Sequence, residues 1–111
     1  MGVGLMRRLA YSVGALALAT GQAGAQDLPG DPAAGARLAH EVCAVCHLVS
    51  DDQTSDPEVG PSFFEVADHP ATTELSLRAF LQTPHATMPD LILTAEETDD
   101  VIAYILTLED E

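Results

Sequence analysis

Apolar positions after residue 30 recur at intervals of three and four, which is the period of an amphipathic helix. The last segment is the clearest case, with apolar residues at i, i+3, i+4 and i+7: Val101, Tyr104, Ile105 and Leu108. Thr94 and Glu97 precede this segment with the spacing of a capping box. No alternating pattern of useful length indicates a strand, so the sequence predicts an all-α domain.

The first helix is predicted from its start signal. Asp31 is a good N-cap residue, and Pro32 suits the first helical position, so we expect a helix from here to about Cys43. Two segments that lack helical periodicity are predicted as loops. One is the polar stretch 50–60, and the other is the stretch 83–93, which two prolines stiffen.

Two further helices are predicted in the middle of the chain. Ser62 and Glu65 have the spacing of a capping box, which predicts a short helix that ends near Ala67. Thr73 can cap another helix, which Pro84 prevents from extending further. This helix places three apolar residues on one face: Leu77, Phe80 and Leu81.

The first 25 residues have the composition of an export signal. Arg7 and Arg8 precede an apolar run, residues 9–19, which is well short of the ~20 residues needed to span a bilayer. Small residues at 23–25, Ala-Gly-Ala, then supply a cleavage site. We therefore predict a signal peptide at residues 1–25 and export to the periplasm.

Cleavage before Gln26 would leave one strongly acidic domain, residues 26–111. The whole chain has four basic and eighteen acidic residues, a formal charge of −14. Arg7 and Arg8 leave with the signal peptide, so the remaining 86 residues carry −16 and no lysine. Nucleic-acid binding and docking on anionic lipid are excluded, because no basic stripe is present to neutralise phosphates.

The strongest chemical motif is Cys43-Ala-Val-Cys46-His47. Its spacing sets both thiols on one turn, where they can add to the two vinyl groups of a haem as thioethers. The imidazole of His47 can then bind the iron from the same side. This C-x-x-C-H pattern predicts one covalently attached haem c, with Cys43 and Cys46 as its attachment points and His47 as an iron ligand.

Other uses of a cysteine pair explain this motif less well. A zinc site would need a second pair of ligands, and neither another cysteine pair nor an H-x₃₋₅-H motif is present. A thioredoxin-like dithiol would need a βαβ context, which the helical pattern lacks. A structural disulfide does not account for the adjacent histidine.

Met88 is the candidate for the sixth iron ligand. Met1 and Met6 belong to the predicted leader, and Pro89 favours an extended backbone that would present the Met88 side chain from a loop. His85 remains a rival, and bis-histidine ligation would lower the reduction potential that a methionine ligand raises. An ordinary core role for Met88 is the third reading. The remaining histidines are expected at the surface: His40 and His69.

Over essentially the whole length after residue 25, the chain resembles small bacterial monohaem class I cytochromes c. The matching elements stand in order: Gly35, Cys43 to His47, Gly60-Pro61, Met88-Pro89 and the terminal segment from Asp100 to Ile105. The resemblance implies three to four helices around the haem. Gly35 would let the first helix approach the last, near Val101 and Tyr104. The Pro61 carbonyl would accept a hydrogen bond from the non-ligating nitrogen of His47.

Two features depart from this family pattern. Ala39 stands where many relatives carry an aromatic residue, so we expect looser packing at the helix crossing. The chain also has no tryptophan, so contacts to the haem propionates must come from Arg78, Arg37 or hydroxyl groups.

These features predict a periplasmic one-electron carrier rather than an enzyme. Its acidity should attract redox partners that present basic docking faces. Two alternatives stay open. One is a haem-bearing subunit of a larger periplasmic oxidoreductase, and the other is a haem sensor or peroxidase in which Met88 is displaced.

Overall fold

A computed structural model describes residues 28–83 and 87–109, and within them the chain is helical with no strand. The α-helices are α1 (Pro32–Leu38), α2 (Phe63–Asp68), α3 (Glu74–Leu81) and α4 (Ala95–Leu106), and a π-helical turn, Ala39–Cys43, follows α1. The all-α prediction is confirmed. No helix of the described part combines the length and apolarity that crossing a membrane requires. The predicted leader, residues 1–25, lies outside the described residues.

The helix starts follow the predicted capping residues. The carboxylate of Asp31 accepts a hydrogen bond from the Ala33 amide at 2.9 Å and so caps α1. Both predicted capping boxes are present, at the first turns of α2 and α4. At α3 the cap is Thr73, as predicted, and its amide also donates to the Ser76 hydroxyl at 2.8 Å.

The first helix does extend to Cys43, but its last turn is wider than an α-helix. The Ala44 amide donates to the Ala39 carbonyl at 2.9 Å, an i to i+5 hydrogen bond that marks a π-helical turn. Such a turn shifts the angular position of every side chain after it. The wide turn therefore sets the direction in which the Cys43 side chain leaves the helix.

The crossing of α1 and α4 is a contact between backbones. A Cβ atom added to Gly35 would overlap the Asp100 carbonyl and press on the Cβ of Tyr104, so only glycine allows this approach. The Asp31 amide also donates to the Asp100 carboxylate at 2.7 Å. The predicted approach of the two helices at Gly35 is confirmed, with Tyr104 among the residues it meets.

The core lies between α4 and the elements packed on it. Its largest fully buried side chains are Ile102, Val49 and Val101. Phe63 and Leu77 join the same cluster from α2 and α3. Ala39 is also fully buried in this cluster.

Arg78 joins α3 to α4. Its guanidinium lies 2.9 Å from the Glu74 carboxylate on its own helix and 2.6 Å from the Asp99 carboxylate on α4. The second of these contacts is an ion pair between two helices. The bridge holds the start of α4 beside the helix that borders the cavity described next.

Candidate functional site

A cavity of about 440 Å³ lies among α2, α3, α4 and the segments that flank them. This volume falls in the range of about 300–1,000 Å³ that is usual for small-molecule and cofactor sites. Its walls are largely apolar and include Phe63, Leu77, Phe80, Leu81, Val101 and Ile105. The three residues predicted to share one face of α3 all line it. The helix faces predicted from periodicity thus converge on one apolar site.

The predicted site residues also meet at this cavity. Its lining includes Cys43, Cys46, His47, Pro61 and Met88. They come from three separate parts of the chain, and tertiary folding brings those parts to the same cavity. No group of three or more His, Cys, Asp or Glu side chains in residues 28–83 and 87–109 is arranged to hold a bare metal ion.

The two cysteines are presented by a tight turn at the end of the π-helical segment. The amides of Cys46 and His47 both donate to the Cys43 carbonyl, at 3.1 and 2.9 Å. No disulfide joins the thiols, and both are partly buried. Burial raises the pKa of the Cys43 thiol to about 11. Redox-active dithiols depend on a lowered thiol pKa, so this environment does not suit a thioredoxin-like exchange.

The imidazole of His47 is held by neighbours on several sides. Its Nδ1 lies 2.7 Å from the Pro61 carbonyl oxygen. Because a carbonyl can only accept, Nδ1 carries the proton, and Nε2 is left as the nitrogen with a free lone pair. The Phe63 ring packs at 5.5 Å between centroids, tilted by 51°. A Cβ at Gly60 would overlap the imidazole, so glycine is required beside it.

The chain that follows the second cysteine is tied to two helices. The Gly60 amide donates to the Cys46 carbonyl and the Phe63 amide donates to the Leu48 carbonyl, each at 2.8 Å. The Tyr104 hydroxyl on α4 donates to the Val49 carbonyl at 2.6 Å. These bonds give partners to backbone groups that lie in no helix or strand. They hold the His47 segment against the cavity wall.

Met88 is partly buried and lines the cavity from an irregular segment. This position agrees with a side chain presented from a loop ahead of Pro89. The rival ligand, His85, lies outside the described residues. The two histidines expected at the surface, His40 and His69, are exposed.

Of the groups predicted to contact the haem propionates, hydroxyls line the cavity and the two arginines do not. Hydroxyl groups line the cavity at Thr72, Ser76 and Thr87. Arg78 does not line it, because its guanidinium is paired with Glu74 and Asp99. Arg37 is exposed on α1 and also lies outside the lining.

Sequence reasoning missed the role of three residues that support this site. Phe63 was expected to form part of a helix, but its position against the His47 ring depends on how α2 docks. Tyr104 was predicted on the apolar stripe of α4, with no indication that its hydroxyl reaches Val49. Gln53 lies in a loop without any motif, and it hydrogen-bonds to the backbone around His47.

The described residues fit the haem that the C-x-x-C-H motif predicts. Two cysteines stand on one turn at the edge of an apolar cavity of suitable size. Beside them is a histidine whose Nε2 is left free by the hydrogen bond of Nδ1. Glycine at position 60 allows the chain to pass closely along the imidazole.

Comparison with known proteins gives an independent result. A family model described as Cytochrome c matches residues 32–109, which span all four α-helices. The chain is also 38% identical over 93 residues to a protein of Bradyrhizobium diazoefficiens named Cytochrome c-552. That alignment covers 84% of this chain and 89% of the relative. The similarity therefore extends over nearly the full length of both proteins.

Proposed function

Since the chain belongs to the cytochrome c family and carries a covalently bound haem c for electron transfer, we propose that it is a periplasmic one-electron carrier with His47 and Met88 as axial iron ligands. The observation that carries this proposal is that Cys43, Cys46, His47 and Met88 line one apolar cavity. Bound there, the haem supplies an iron that changes between the ferric and ferrous states.

The residues around the cavity have separate roles in this proposal. Cys43 and Cys46 hold the haem through thioethers. The Pro61 carbonyl keeps the His47 proton on Nδ1. Nε2 therefore carries no hydrogen, and its lone pair can bind the iron. Met88 contributes a soft, neutral thioether, which favours ferrous iron and raises the reduction potential relative to bis-histidine ligation.

A carrier rather than an enzyme is supported by the chemistry of the cavity wall. No Asp, Glu, Lys or Arg is among the described residues that line it. General acid–base catalysis needs a titratable group within hydrogen-bond reach of the substrate. Apart from the cysteines and His47, which are assigned to the haem, this wall offers none. The walls therefore suit a buried redox centre that exchanges electrons and transforms no substrate.

The location and the partners follow from the composition of the chain. We place a signal peptide at residues 1–25 and the cytochrome c domain at 26–111, so N-terminal sequencing of the exported protein should begin at Gln26. The formal charge of −16 after cleavage favours redox partners with basic faces. Their association rate should fall as salt is added, because screening weakens long-range attraction.

The axial assignment is tested with visible spectra of Met88→Ala, expressed together with haem-maturation machinery. The ferric native protein should show the weak far-red band of a sulfur-to-iron bond. Met88→Ala should lose this band because it has no thioether, and the matched variant His85→Ala should keep it. Persistence of the band in Met88→Ala would overturn the assignment of Met88. A protein from which acid-acetone extracts all haem would instead refute covalent attachment.

A further inference from the structure

Gln53 makes an unusual set of hydrogen bonds within the polar loop before Gly60. Its Oε1 accepts from the Val49 amide at 3.0 Å. Its Nε2 donates to the Ser55 carbonyl at 2.8 Å and to the His47 carbonyl at 3.1 Å. A longer contact, 3.4 Å, joins Nε2 to the Ala44 carbonyl. One partly buried side chain thus reaches backbone groups on both sides of the second cysteine.

The backbone around His47 depends on these bonds. Neighbouring carbonyls in this segment receive donors from elsewhere, at Cys46 from the Gly60 amide and at Leu48 from the Phe63 amide. Gln53 supplies the partner of two further groups: its Nε2 donates to the His47 carbonyl, and its Oε1 accepts from the Val49 amide. Backbone groups that lie outside helices and strands must be satisfied in some other way when they are partly buried. Here the side chain of Gln53, which lies in a loop, satisfies these two groups.

An amide side chain is well suited to this position. It offers an acceptor and two donor hydrogens on one planar group, and the structure uses both kinds. The opposite orientation of the amide would direct its oxygen at the carbonyls of His47 and Ser55, so the hydrogen-bond network supports the assigned one. Glutamate has the same shape, but when ionised it has no hydrogen to donate to these carbonyls.

We propose that Gln53 is a positioning residue for the haem site, which holds the turn from Cys43 to His47 so that the His47 ring keeps one orientation toward the iron. The side chain acts through the backbone and touches neither the imidazole nor the cavity. The inference rests on the proposed role of His47 as an iron ligand. Gln53 restrains the main chain of His47, whereas the Pro61 carbonyl restrains its ring.

The test uses ferric holoprotein with the isosteric substitution Gln53→Glu. The hyperfine-shifted proton resonances of the axial histidine ring should move, because repulsion between the new carboxylate and the His47 carbonyl displaces the backbone. The measured reduction potential should change with them. Gln82→Glu is the matched control, since it adds the same charge at an exposed residue at the end of α3. It should leave the histidine resonances at their native positions.

A second measurement, hydrogen exchange, begins with the native protein. In the native holoprotein, the side-chain amide hydrogens of Gln53 should exchange with solvent more slowly than those of Gln82. Where Gln53→Ala folds, exchange of the Val49 amide should rise roughly tenfold, because that hydrogen bond is lost. Gln53→Glu keeps an acceptor for this amide and should preserve its protection.

Two results would overturn the inference. One is equal exchange of the Gln53 and Gln82 side-chain amides in the native protein. The other is a Gln53→Glu holoprotein whose histidine resonances coincide with the native ones. Failure of the proposed function would look different: the native spectrum would then lack axial histidine resonances altogether, whatever the Gln53 measurements gave.

Discussion

Two adjacent stripes of α4 differ in what completes their packing. One stripe, with Asp100 and Tyr104, meets α1 so closely that Gly35 has no room for a side chain. The other stripe, with Val101 and Ile105, lines the cavity beside the cysteine turn. The first contact consists of protein atoms on both sides. The second is a surface shaped for a non-protein group, the covalent haem c of the family.

This difference shows how a short chain divides its stabilisation. Small domains bury a modest fraction of their surface and commonly need a cofactor, metal or disulfide in addition to a core. The helix crossing holds the ends of the domain together by close packing. The cavity side places its apolar residues around the haem site, so its stability should depend on attachment of the haem.

Removal of both thiols is the change with the largest expected effect on the cavity side. Cys43→Ala combined with Cys46→Ala should abolish covalent haem completely, because no thioether can form. The measurement is haem staining after denaturing electrophoresis. Val45→Ala, an exposed residue between the two cysteines, is the control and should retain the stain. If the double variant still carried covalent haem, the haem would not be attached at this turn. The stripe with Val101 and Ile105 could then no longer be described as facing a haem attached there.

Two isoleucines compare the packed core of α4 with the segment that precedes this helix, through one substitution at each position. Ile102 on α4 is 1% exposed, whereas Ile92 on the segment before α4 is 100% exposed. Ile102→Ala should lower the free energy of unfolding of the holoprotein by about 3 kcal/mol, because it leaves a cavity in a packed core. Ile92→Ala should change it by less than about 0.5 kcal/mol. Guanidinium unfolding followed by circular dichroism measures both.

An equal loss of stability in the two isoleucine variants would contradict the comparison. It would mean that the segment before α4 packs in solution as tightly as the core around Ile102 does. A small effect at both positions would instead show that the core around Ile102 contributes little to stability.

The smallest expected effect is a pH dependence at the start of α4. Hydrogen bonds from Thr94 lower the pKa of the Glu97 carboxyl below its usual 4.5. Because the folded-state pKa is the lower one, the stabilisation is present above the usual pKa and is lost as the pH falls through the folded value. The stability difference between native protein and Glu97→Gln should therefore shrink on acidification from pH 7.

Denaturant midpoints at a series of pH values would measure this change. Glu58→Gln, at an exposed loop position, is the control for removing one negative charge from an acidic protein. Its stability difference from the native protein should vary less with pH than that of Glu97→Gln. The same pH profile in both variants would show that general charge repulsion, and not the cap of α4, is responsible.

Local signals predicted the helices well because their causes are local. Asp31, Thr73 and the two capping boxes satisfy amide groups within their own first turns, and each helix starts where these residues stand. The π-helical turn before Cys43 escaped prediction. A single widened turn leaves no mark in the hydrophobic period of so short a segment.

The candidate site was also predicted unevenly. Cys43, Cys46 and His47 are adjacent in sequence, so their shared chemistry is visible in a single motif. Arg78 shows the opposite case. As one of two basic residues after residue 25 it was a natural candidate for the haem propionates, whereas the fold places it between Glu74 and Asp99. A pairing across two helices depends on how those helices dock.

The sequence by itself determined the helical class, the caps, the acidity and the C-x-x-C-H motif, because each depends on residues within a few positions of one another or on simple counts. Only the tertiary structure decided that Met88 shares a cavity with the cysteine turn, that Phe63 packs on the His47 ring, and that Gln53 supports the backbone beneath it. These contacts join segments whose separation is set by helix packing. Their energies depend on distance and direction in space, which no local pattern records.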